Sequence, residues 1–169
     1  MKSYEAYAFQ AHANLRRRYT GAPYTDHLYE VARLVSTTFK WYTLPHVRER
    51  MLAVSWLHDT LEDTAVTYWM LQQKFGIAVA DGVQWLSDLD FGNRKERKEA
   101  ARQRLAIAPG WVQTIKVADI ISNVNSIKEN DPKFAKVYVP ESIALLNVLG
   151  KADKVLLEQA HELLPYLFD

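Results

Sequence analysis

The chain has 169 residues, with 21 Lys plus Arg against 20 Asp plus Glu, a formal net charge of +1 and no Cys. One domain, 1–169, is expected at this length, and 49% apolar with 24% charged residues excludes a disordered tail. The missing Cys excludes disulfides, thiol nucleophiles and Cys-based zinc sites and agrees with a cytoplasmic location, while near-neutral charge excludes bulk binding of a nucleic-acid polymer.

Met1–Glu5 carries an early acid and no apolar core, so it is not read as a signal peptide. Tyr4, Tyr7, Ala8, Ala11 and Leu15 recur at helical spacing. Arg16-Arg17-Arg18 follows, then a loop at Thr20–Pro23. Leu28, Val31, Ala32 and Val35 predict the next helix, with His27 at its start. After a loop at Thr43–Pro45, the apolar run Met51–Leu57 predicts a helix that ends on His58-Asp59. That run is far shorter than the ~20 residues a membrane span needs, and no membrane partner is expected. Glu62-Asp63 lies just beyond.

Thr67 and Gly76 bracket Tyr68–Phe75 as N-cap and stop. A loop at Asp88–Asn93 precedes the basic run Arg94-Lys95-Glu96-Arg97-Lys98. Pro109-Gly110 opens a helix over Trp111–Ile127 that contains Asp119. Lys128–Pro132 reads as a loop, and Asp131-Pro132 opens a helix to about Leu149. Gly150 separates it from a last amphipathic stretch ending near Leu164. The apolar segment Val155–Phe168 permits a homo-oligomer joined by helices. No alternating pattern predicts a sheet, so the fold class is all-α, one bundle of about seven to nine helices.

The chemistry rests on four places. His27 begins a helix, His58-Asp59 ends an apolar one, and Asp119 sits among Ile, Val and Ala. A buried ionised carboxylate is costly unless it is paired or bound to a metal. Two imidazoles and two carboxylates suit one divalent ion: Mn, Fe, Zn or Co. Taken singly, His58 also reads as a satisfied core histidine, and Asp59 and Asp119 as caps or buried salt bridges. Glu62-Asp63 could orient and deprotonate a metal-activated water, or simply start a helix. Arg16–Arg18 and Arg94–Lys98 offer phosphate contacts, or a solvated helix face. His12, His46 and His161 read as ordinary core or surface histidines. The five Trp sit in apolar segments and read as core or interface.

Three blocks carry a family resemblance. The run Trp56–Thr64, containing His58-Asp59 and Glu62-Asp63, closely resembles the HD-superfamily motif of RelA/SpoT-type (p)ppGpp hydrolases. Arg18–His27 resembles that family's Arg-Lys-Ser-Gly-Glu-Pro-Tyr…His segment. Ile115–Asn123 resembles its Lys-Leu-Ala-Asp-Arg-Leu-His-Asn block. The order and spacing match over about Tyr4–Leu149, in the manner of small single-domain members such as the metazoan SpoT homologue.

The resemblance implies an all-α HD fold acting on a small phosphorylated nucleotide. It implies metal ligation by His27, His58, Asp59 and Asp119, usually of one Mn²⁺, and water activation by Glu62 and Asp63. It implies substrate contacts from Arg18 (packed on the guanine) with Tyr19 and Thr20 beside it, and from Arg94, Asn123 and Tyr138. The implied reaction removes pyrophosphate from the 3′ position of (p)ppGpp, the chemistry of the stringent response.

Tyr19 stands where the family commonly has Lys, and Ala22 where it has Glu. Ile120 replaces an Arg and Ser122 a His. These departures motivate the alternative of another substrate, such as a dNTP or a 2′- or 3′-phosphorylated nucleotide. A catalytically silent nucleotide-binding module is the third alternative.

Overall fold

Spacing of apolar residues dictates helices throughout, and the computed structural model, which describes residues 1–164, contains them. Among the described residues there are nine helices of eight residues or longer and one single turn, with no strand. The all-α expectation holds. The chain divides into two compact units, Met1–Leu89 and Asp90 onward.

The first unit contains α1 (Ser3–Ala11), α2 (Thr25–Thr37), α3 (Pro45–Leu57), the turn α4 (Thr60–Asp63), α5 (Tyr68–Phe75) and α6 (Ile77–Leu86). In α2, Leu28, Val31, Ala32 and Val35 form one buried stripe, the i, i+3, i+4, i+7 pattern of an amphipathic helix. That stripe packs on α3, which also meets α1 and α6. From Ala53 to Leu57 every residue of α3 is buried. Each large apolar side chain there adds about 1.5–3 kcal/mol of burial, and the helix end that delivers His58 is anchored accordingly. The Thr67 hydroxyl caps α5 by accepting from Met70 N, and Gly76 ends it at φ +86°.

The second unit contains α7 (Arg94–Ile107), α8 (Gly110–Asn130), α9 (Pro132–Leu146) and α10 (Lys154–Leu163). The long α8 packs against α9 and α10. Gln113, fully buried in α8, donates to Leu105 O at 2.8 Å and accepts from Lys151 N at 2.8 Å. It thereby ties the end of α7 to the turn before α10. Gly110 is required there, because a Cβ would come within 2.4 Å of Lys151 O.

Three expectations shift at element ends. Leu15 falls outside α1, which stops at Ala11 because His12 caps it and the chain turns. Lys128–Asn130 belong to α8 rather than to a loop; the stop is Asp131, whose carboxylate caps α9 by accepting from Phe134 N. α9 ends at Leu146, short of Leu149. In the segment expected to permit oligomers, α10 buries Leu156 and Ala160 and exposes Val155; residues 165–168 of that segment lie outside the described ones. No helix among the described residues is long and apolar enough to cross a membrane.

Candidate metal centre

Between α1 and α2 the chain makes a tight reversal. Arg17 N donates to Ala22 O at 2.8 Å, Tyr24 N donates to Leu15 O at 3.1 Å, and Arg16 and Pro23 form an isolated antiparallel bridge. Gly21 takes φ +68°, which disfavours side chains, so glycine makes the turn. The reversal returns Tyr24 to the end of α1 and places His27 in the first turn of α2, 1% exposed. His58 follows α3 directly as its C-cap, and Asp59 leaves helical geometry at φ −96°, ψ 0°.

The His58 Nδ1 lies 2.8 Å from Ser55 O, so Nδ1–H donates to that carbonyl and Nε2 is turned toward Asp59. A metal-binding histidine is commonly oriented by such a bond. His58 Nε2 sits 3.0 Å from Asp59 Oδ2, and His27 Nε2 sits 3.5 Å from the same oxygen. The two imidazoles are 5.2 Å apart between centroids. Ligands about 2.0–2.2 Å from one ion are themselves about 3.0–3.5 Å apart, so these three groups fit a shared divalent cation. The Tyr24 hydroxyl donates to Asp59 Oδ2 at 2.7 Å and fixes the carboxylate.

Glu62 and Asp63 lie on α4 one turn beyond Asp59, both exposed as residues. Glu62 Oε1 accepts from Asp88 N at 2.7 Å. The Asp63 carboxyl is pushed above the ordinary carboxylate range, first by desolvation and then by the Asp59 charge. A hydrogen bond from Tyr24 and the nearby His12 and His58 rings oppose that rise. Arg18 is exposed and its guanidinium lies over the Tyr19 ring at 5.4 Å. The Thr20 hydroxyl accepts from Ala22 N at 3.3 Å within the reversal.

In the second unit, Asp119 is 6% exposed in mid-α8. It accepts from Lys116 Nζ and from Asn123 Nδ2, each at 2.7 Å. Both donors point at the Asp119 carboxylate, and Asn123 is thus occupied with Asp119. Arg94 makes a two-pronged pair with Glu141 at 2.8 and 2.7 Å and lies over the Phe134 ring at 5.2 Å. Tyr138 lies on α9 with its ring 5.9 Å from Phe134.

The structure therefore brings His27, His58 and Asp59 together in the first unit. In the second it joins Asp119 to Asn123, and Arg94 and Tyr138 to the same Phe134. Three contributors escaped the sequence: Tyr24, Lys116 and His12. Tyr24 stands three residues before His27 and Lys116 three before Asp119, a helical spacing that faces side chains together. His12 stands four after the buried Ala8, on the inward face of α1.

The first unit thus places two histidines and an adjacent aspartate around one point, a donor set that suits a divalent ion. No protein-family profile matches the chain. It is 30% identical over 127 residues to GTP pyrophosphokinase rsh of Brucella ovis, covering 72% of this chain. It is 28% identical over 133 residues to the probable guanosine-3′,5′-bis(diphosphate) 3′-pyrophosphohydrolase of Synechocystis, covering 75% of this chain. The chain spans 16% of the length of each of these two relatives. A solved metazoan orthologue of SpoT, described as hydrolysing ppGpp, matches with TM-score 0.83 at 23% identity, covering 95% of this chain and 90% of that one. The fold is that of the helical SpoT-type domain, and the sequence resembles the RelA/SpoT family.

Proposed function

We propose that the chain is a metal-dependent phosphohydrolase, a (p)ppGpp 3′-pyrophosphohydrolase that works as a single HD domain over 1–169 in the cytoplasm. The observation that carries it is the convergence of His27 Nε2 and His58 Nε2 on Asp59 Oδ2. The similarity to guanosine-3′,5′-bis(diphosphate) 3′-pyrophosphohydrolases supports the substrate. His27, His58 and Asp59 would hold one divalent ion, Mn²⁺ by the family resemblance, with Asp119 as the fourth ligand.

Such an ion supplies Lewis-acid polarisation of a phosphoryl oxygen and acidifies water. Glu62 and Asp63 orient the attacking water and take its proton, and the raised Asp63 pKa suits that acceptor better than an ordinary carboxylate would. The water oxygen bonds to the 3′-linked phosphorus as the bond between that phosphorus and the 3′ oxygen breaks. The nucleoside oxygen gains a proton, pyrophosphate leaves, and ppGpp becomes GDP. Arg18 stacks on the base, with Tyr19 and Thr20 beside it. Arg94, Asn123 and Tyr138 contact the nucleotide and its phosphates.

The test is pyrophosphate release from ppGpp across a panel of divalent metals, followed by chromatography. Mn²⁺-dependent formation of GDP supports the proposal. Bound metal without conversion refutes the substrate and favours a second nucleotide class, such as a dNTP or a 2′- or 3′-phosphorylated nucleotide. One observation favours that second class: Tyr19, which replaces a family Lys, stacks under Arg18 and changes the charge beside the base position.

A further inference from the structure

His12 is a buried titratable group that the proposed chemistry leaves unused. It is 1% exposed at the C-cap of α1. Its Nδ1 lies 3.0 Å from Ala8 O, so Nδ1–H anchors the ring to the last turn of α1. Its Nε2 is buried and has no hydrogen-bond partner among the described residues. A buried nitrogen without a partner is unfavourable, so the ring is held here for some feature other than that atom. Its face supplies one. The His12 ring stacks on Tyr24 at 5.4 Å between centroids and only 12° between planes.

Tyr24 is the partner in that stack. It arrives at the end of the Arg16–Pro23 reversal as the residue before α2, and its ring meets His27 edge-on at 5.6 Å. Its hydroxyl donates to Asp59 Oδ2 at 2.7 Å and also bonds the Asp63 carboxyl. One phenol thus connects a proposed metal ligand to a proposed water-activating carboxylate. A tilt of its ring would displace both bonds at once.

We infer that His12 is a positioning residue: anchored to α1 through Nδ1–H, its ring clamps Tyr24 so that the hydroxyl holds the Asp59 carboxylate. The inference rests on the metal centre proposed above. His12 is not a ligand and touches no substrate. It acts through Tyr24, and loss of the clamp loosens Asp59. Partners that orient a ligand from outside the coordination shell typically change metal affinity by about 10–100-fold.

The test uses Mn²⁺ titrated into the metal-free protein, with free ion read by electron paramagnetic resonance. His12→Leu removes anchor and stack; Tyr24→Phe removes the hydroxyl. Each is expected to weaken Mn²⁺ binding by about 10-fold. The double variant His12→Leu/Tyr24→Phe is expected to bind no more weakly than Tyr24→Phe alone, since the clamp has nothing left to position. His12→Phe keeps a stacking ring without the Nδ1–H anchor and is expected to recover part of the affinity lost in His12→Leu.

Multiplying losses in the double variant would show that His12 acts independently of Tyr24 and overturn the inference. So would unchanged affinity in His12→Leu, or an equal loss in a well-folded His12→Phe. If His12→Leu fails to fold, the comparison of His12→Phe with wild type and Tyr24→Phe decides. Wild-type protein that binds no Mn²⁺ would overturn the metal centre and this inference together. Wild-type protein that binds Mn²⁺ without hydrolysing ppGpp would refute only the substrate, because the readout here is affinity.

Discussion

Replacing Glu62 by Gln separates a structural from a chemical role for that carboxylate. Glu62 Oε1 accepts from Asp88 N at 2.7 Å on an exposed residue. The Gln amide oxygen can accept the same bond, so only its charge assistance is lost. In solvent that difference is worth less than about 1 kcal/mol, or roughly 2–4 °C in Tm for a chain of this size. Loss of a general base costs about 10²–10⁴ in rate, equivalent to about 2.7–5.5 kcal/mol. The two effects are therefore distinguishable in one variant. The assay is steady-state pyrophosphate release from ppGpp at saturating Mn²⁺, beside Mn²⁺ affinity and thermal unfolding. The expected result is a kcat lowered by at least about 10² with Mn²⁺ affinity and Tm near wild type. A wild-type kcat would refute the role of Glu62. A parallel loss of Tm and activity would make it a structural tie to Asp88.

Asp59→Ala is expected to abolish metal retention and hydrolysis together, measured by metal analysis and pyrophosphate release; full activity would remove Asp59 from the ligand set. Gln113→Leu strands Lys151 N at about 1–3 kcal/mol, while Leu105 O keeps its bond from Ala108 N, so calorimetry should show a Tm lower by roughly 2–12 °C; an unchanged Tm would contradict this. Burial holds His12 below its ordinary pKa. The folded protein then binds fewer protons there than the unfolded chain, so its stability is full above pH ~6.5 and falls as pH drops below that. Urea unfolding of the metal-free protein between pH 7.5 and 5 should therefore show a shallower acid decline for His12→Phe, and identical slopes would refute it.

Much of the site was legible because its chemistry contradicts its surroundings. An apolar helix from Met51 to Leu57 that ends on His58-Asp59, and an Asp119 amid Ile and Val, are local oddities visible without coordinates. The α2 stripe, the Thr67 cap and the Gly76 stop were legible for the same reason: each is encoded within a few residues. What escaped depends on chain reversal. The Arg16–Pro23 turn closes through backbone bonds that carry little side-chain signature beyond Gly21. Tyr24 and His12 stack only because that turn closes, so their pairing cannot be read from either residue's own neighbourhood. Helix ends were misplaced at Leu15 and at Lys128–Asn130, where capping competes with periodicity over one turn.

Arg94 shows how charge type is legible while its partner is not. The basic run at the start of α7 makes it a candidate phosphate contact, yet its guanidinium is paired with Glu141, 47 residues away. The Arg94 side chain is 42% exposed and that of Glu141 24%. An exposed pair of this kind is worth about 0–1 kcal/mol, whereas a charge-assisted bond to phosphate is worth about 1.5–3 kcal/mol. A polyanion can therefore outcompete Glu141 for the guanidinium. Arg94→Ala is expected to raise KM for ppGpp by about 10-fold or more, at 1.4 kcal/mol per decade, with Tm shifted by no more than about 3 °C. Glu141→Gln, which weakens the competing partner, should instead lower KM. If Arg94→Ala lowers Tm and leaves KM unchanged, the guanidinium serves only to pin α7 to α9, and the basic run is a helix face that the fold uses for itself.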